Sequence, residues 1–107
     1  MTASGKCGGV VVVNANALFQ EGLPIQKEIE DAAKKAGSKY PAQTMTEGWI
    51  GGMAIEAALK GAGWPADAAK VRAAMENLNI DTKGLRGGPI EWNKDNHFRT
   101  RLYYRVY

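Results

Sequence analysis

The period of the apolar positions changes along the chain, and each change predicts an element. Val10–Val13 form an unbroken run of valines inside GVVVVNA. A β-branched run without alternation fits a strand covered on both faces, as in a parallel sheet. From Pro24 the spacing becomes helical. Ile25, Ile29, Ala32, Ala33 and Ala36 share one face, Gln26, Lys27, Glu30, Lys34 and Lys35 face water, and Gly37 ends the helix. A stripe built mostly of alanine predicts close seating on a flat surface.

After SKYPAQ a more apolar helix is expected, with Thr46 as its N-cap and Glu47 in the positive first turn. Ile50, Met53, Ala54, Ala57 and Ala58 form its stripe, widened by Trp49 and Leu59, while Glu56 and Lys60 are its few charges. That pattern predicts burial on most sides. Gly48, Gly51 and Gly52 each cost about 1 kcal/mol relative to alanine in a helix. Either a neighbouring backbone or bound ligand comes close there, or the first turn is irregular. A third helix is expected from about Ala66 to Asn77, opened by Pro65, with Asp67 in its first turn and Ala68, Val71, Met75 and Leu78 on one face.

Beyond Gly84, Gly87 and Gly88 the period falls to two. Phe98, Thr100, Leu102, Tyr104 and Val106 alternate with Arg99, Arg101, Tyr103, Arg105 and Tyr107. This predicts a strand with one apolar face and one basic, aromatic face. Asn93–Asn96 would turn it back on Ile90 and Trp92 as a β-hairpin. The predicted order is strand, three helices, hairpin, an α/β arrangement. A core strand without a parallel partner and a lone hairpin do not make a self-sufficient sheet. Further strands are therefore expected from an upstream segment.

The 107 residues allow one domain, and 45% hydrophobic with 23% charged residues is ordinary globular composition. A net charge of +3 leans weakly toward anionic partners. Cys7 has no second cysteine to pair with, and with His97 as the single histidine there is no Cys/His zinc set. No apolar stretch approaches a membrane span, and the opening MTASGKCGG, small and polar, reads as a tag or linker over residues 1–8 rather than as a signal peptide.

Catalysis finds no support: His97 lies in a turn, no nucleophile is recognisable by spacing, and GKCGG and GWIGG lack the order of a phosphate loop. Scattered carboxylates give no calcium loop, so neither metal nor cofactor is expected. Arg99, Arg101 and Arg105 interleaved with Tyr103 and Tyr107 could hold a single-stranded nucleic acid. The favoured reading of the same residues is the solvated outer face of an edge strand, without nucleic acid.

The run EGWIGGMAIEAALKGAGWPADAAKVRAAMENLNIDTKGLRGGPIEWNKDNHFRTRLYYRVY resembles the last section of type I periplasmic solute-binding proteins of the leucine/isoleucine/valine class. Trp49 opens an alanine-rich helix that carries Ala57 and Ala58 and ends at Ala62-Gly63. Val71 and Ala74-Met75 mark the next helix, Gly88-Pro89-Ile90 and Trp92 a strand, and Asn96-His97 a turn. GGVVVVNA and LPIQKEIEDAAKKAG resemble the strand leaving one lobe and its following helix.

The likeness covers about residues 8 to 107 and rests on the order and spacing of these elements. It implies a two-lobed α/β protein that clamps a small solute, such as a branched-chain amino acid, an amide or an aromatic acid, for an ABC importer. The complete protein would be about three times longer. Residues 9–107 would then be a C-terminal portion with incomplete lobes, able to self-associate, from a periplasmic, non-enzymatic parent that works with a membrane permease. Most of the solute's grip would lie upstream. Thr44, Met45, Thr46, Glu47 and Trp49 are the positions that map near the cleft. A plain N-cap for Thr46 and core packing for Trp49 are the simpler roles of those two.

Overall fold

The computed structural model describes residues 8–107; residues 1–7, most of the expected tag or linker, lie outside that range. The strands are β1 (Val13–Asn14), β2 (Asn79–Ile80), β3 (Ile90–Glu91) and β4 (Arg105–Val106). The helices are α1 (Pro24–Lys35), α2 (Thr46–Ala62) and α3 (Ala68–Glu76), and 3-10 turns occupy Phe19–Glu21 and Ala42–Met45. The α/β class holds, as a fragment-like set of three helices and small antiparallel ribbons.

The three helices form where the spacing placed them, with local differences. In α1, Ile25 and Ile29 are buried but Ala32 and Ala36 are exposed, so only the first half of the stripe is covered. Gln26, expected in water, is buried. Its amide donates to the carbonyls of Ala17 (3.3 Å) and Leu18 (3.0 Å) and accepts from the N–H of Leu23 at 2.8 Å. A buried amide is tolerated where its partners are supplied. Helix α3 starts later than expected because Asp67 is its N-cap, accepting from the N–H of Lys70 at 2.8 Å.

The core is split. Ile25, Ile29, Ile50, Leu85 and Ile90 form one buried cluster, and Ala58, Leu78 and Ile80 form another. Trp92 packs against both. Ile29 and Leu85 are the largest fully buried apolar side chains. The molecule extends 53 × 34 × 19 Å with a radius of gyration of 16.5 Å, against about 13 Å for a compact chain of this length.

The strands depart most from expectation. The valine run is not a strand buried on both faces in a parallel sheet. Only Val13–Asn14 is strand, it is antiparallel, and its partner is the end of the same chain, with Val13 opposite Val106 and Asn14 opposite Arg105. Val10, Val11 and Val13 are exposed. The terminal segment is likewise not one long hairpin arm. Trp92 and Arg99 make a single bridge, after which the chain leaves to pair with β1, while β3 pairs with β2 through Ile80–Ile90 and Asn79–Glu91.

The two faces of that segment are also reversed. Arg99, Tyr103, Arg105 and Tyr107 are half-buried, whereas Phe98, Leu102, Tyr104 and Val106 are exposed. The cause is local chemistry. Arg105 donates to the carbonyl of Gly84 and pairs with Glu21 at 2.8 Å. The Tyr107 hydroxyl bonds to Glu21 and accepts from the N–H of Leu18. The Tyr103 ring lies so close over Gly88 that a Cβ there would sit 2.5 Å from it. Arginine and tyrosine therefore seal the glycine loop, and they do not present a continuous basic face to solvent.

Candidate functional site

The loop before α2 folds into the 3-10 turn Ala42–Met45, stabilised by the Thr44 hydroxyl, which donates to the carbonyl of Pro41 at 2.7 Å. The turn runs straight into α2, so Thr46 is not its N-cap. Thr46 already has helical dihedrals, and its N–H is taken by the carbonyl of Gln43. Its side chain is fully buried and its hydroxyl has no hydrogen-bond partner among the described residues. The free N–H groups that an anion would need at a helix start are thereby partly occupied.

Thr44, Met45 and Trp49 come together. With Gly48, Gly52, Met53 and Glu56 they line an open, mostly apolar groove of about 600 Å³. Trp49 both packs on the core and walls this groove. Gly48, Gly51 and Gly52 are regular helical residues, and among the described residues no atom beyond the adjoining helix backbone lies within 4 Å of the place a Cβ would take. No other described backbone approaches them, and the first turns of α2 are regular. The bare strip leaves α2 exposed on this side, where burial on most sides was expected. Apolar walls with a few polar groups are the ordinary composition of a small-molecule site.

Thr46 and Glu47, the other two expected site residues, do not line the groove. Glu47 turns away to accept from the Asn16 amide at 2.7 Å and to pair with Arg86. The Asn16 hydrogen bond, followed by the charge of Arg86, holds its carboxyl below the usual value despite an opposing contribution from burial. Arg86 is nine-tenths buried. Gln43 completes this polar layer: it accepts from the N–H of Phe19 at 2.9 Å and donates to the carbonyl of Ala17. Sequence reading missed Asn16, Gln43 and Arg86. They lie in loops without periodicity, and only the isolated acid at Glu47 hinted that a cation was needed.

A second groove, of about 900 Å³, lies between α3 and the 92–99 turn, lined by Ala68, Val71, Arg72, Met75, Glu76, Trp92 and His97. His97 sits in the turn as expected, donating its backbone N–H to Asn93, with its ring 3.4 Å from Glu76. Arg99 stacks over Trp92 at 5.9 Å. Among the described residues no group of three or more His, Cys, Asp or Glu could hold a metal ion, and no helix is long and apolar enough to cross a membrane.

The comparison with curated proteins and that with solved structures give no match. A family model described as periplasmic binding protein matches residues 2–106, which is nearly the whole chain. This agrees with the α/β set of three helices and small antiparallel ribbons. The chain belongs to the periplasmic binding protein family, a family of solute-binding proteins.

Proposed function

We propose that this chain is the C-terminal portion of the substrate-binding component of an ABC transporter for branched-chain amino acids or related small molecules. The carrying observation is the groove that gathers Thr44, Met45 and Trp49 beside the glycine strip of α2. Its apolar walls suit an aliphatic or aromatic solute body, and the Thr44 hydroxyl supplies a polar contact at the rim. Glu47 and Thr46 serve this site as positioning residues: one locks the helix start through Asn16 and Arg86, the other fills the space beneath it.

In this reading the parent is periplasmic, carries out no catalysis and delivers its solute to a membrane permease. The chain alone holds one side of the clamp and binds weakly. Its split core, extended shape and exposed apolar segments support incomplete lobes, and they favour self-association. Tryptophan emission tests the site. In a Trp64→Phe, Trp92→Phe background, leucine, an aliphatic amide or an aromatic acid should shift Trp49 emission saturably, and Gly52→Leu should abolish the shift. An unchanged Trp49 signal with every solute class would reject the groove.

A further inference from the structure

The β1–β4 ribbon has one inner and one outer face. Val12 and Tyr107 exchange both backbone hydrogen bonds, at 2.9 and 2.8 Å. Val13 and Val106 are therefore the adjacent non-hydrogen-bonded pair, whose side chains stand close on the same face. That face points outward. Val13 is 60% and Val106 68% exposed, and the alternation continues through Val11 (65%), Tyr104 (63%) and Leu102 (61%). Arg105, Tyr107 and Tyr103 all belong to the opposite face, where the glycine loop and Glu21 engage them.

We propose that this outer face is the surface through which two copies of the chain associate, ribbon against ribbon about a two-fold axis. The proposal deepens the self-association part of the reading above and is independent of solute binding. Two features select a second copy. First, the stripe is self-complementary in charge: none of its five side chains is ionisable near neutral pH, so a two-fold contact brings no like charges together even though each chain carries +3.

Second, its size suits a dimer. At these exposures the stripe offers roughly 500 Å², near the upper end for an apolar patch on a monomer. A standard interface buries about 800 Å² per partner, part of it in a polar rim.

Light scattering coupled to size exclusion, at about 100 µM chain (a concentration at which micromolar affinities are populated), tests this. The chain should elute with the mass of a dimer, and Leu102→Lys with Tyr104→Lys should return it to monomer with an unchanged far-UV spectrum. If that pair unfolds the chain, Val11→Lys, outside β1, gives the same reading. A monomeric wild type, an open-ended polymer, or a dimer indifferent to these lysines overturns the proposal. The Trp49 emission titration reads a different surface, so failure of one result does not imply failure of the other.

Discussion

Arg86 and Glu47 close an ion pair across 39 residues of sequence, tying the glycine loop to the first turn of α2. The two partners differ in exposure: the Arg86 side chain is 9% exposed and that of Glu47 is 64%. Losing the acid leaves a buried guanidinium short of its carboxylate, whereas losing the arginine leaves an acid that water can solvate. Glu47→Ala should therefore cost about 2 kcal/mol in urea unfolding, and Arg86→Met distinctly less. Equal losses would mean that the burial asymmetry has no energetic consequence.

The same pair sets an acid response. Because Asn16 first and Arg86 next hold Glu47 below its ordinary value of 4.5, folding favours the ionised carboxylate. Its contribution is fully present above the unfolded value and is lost as pH falls through the depressed folded one. Stability should fall as pH drops below about 4.5, and Glu47→Gln should flatten that part of the profile. An unaltered acid limb in Glu47→Gln would contradict this.

Tyr107 acts in the opposite direction at high pH. Desolvation, then the hydrogen bond to Glu21, raise its hydroxyl above 10.0, so folding favours the protonated phenol. That contribution is present below the unfolded value and disappears as pH rises through the raised one. Tyr107→Phe removes both the bond to Glu21 and the one accepted from Leu18. It should cost about 1 kcal/mol at neutral pH and blunt the alkaline loss. Denaturant titrations at neutral and alkaline pH read both effects.

Glycine in α2 gives a sharper contrast. Gly51 is exposed, has open space at its Cβ position and does not line the Trp49 groove. Gly51→Ala should raise the melting point by the equivalent of about 0.5–1 kcal/mol without affecting solute response. Gly52, which does line the groove, should gain similar stability as alanine but lose solute response as leucine. Solute response surviving in Gly52→Leu would remove the functional reading of the strip.

The helices were legible because their apolar residues recur at helical spacing: Ile25 with Ile29, and Ile50 with Ala58, are buried as a single sequence predicts. The strands were not. Four valines in a row read as an interior strand only if other strands cover them, and among the described residues the tail supplies an edge partner but no covering layer. Period-two alternation showed that Phe98–Tyr107 has two faces without showing which one turns inward. That was decided by Glu21, Gly84 and Gly88, distant residues whose attraction for arginine and tyrosine outweighed burial of the aliphatic face. Of the five candidate positions, Thr44, Met45 and Trp49 line one groove whereas Thr46 and Glu47 do not, a division that depends on loop partners that no periodicity marks.

The central claim is that solute is met at the start of α2. An amide chemical-shift titration of the chain with leucine, up to about 10 mM to reach the weak-binding regime, tests it most directly. Shifts confined to Thr44, Met45, Gly48, Trp49, Gly52 and their neighbours are predicted, moving together along one saturation curve. A spectrum that does not respond, or shifts centred on the α3 groove at Val71, Trp92 and His97, would contradict the account.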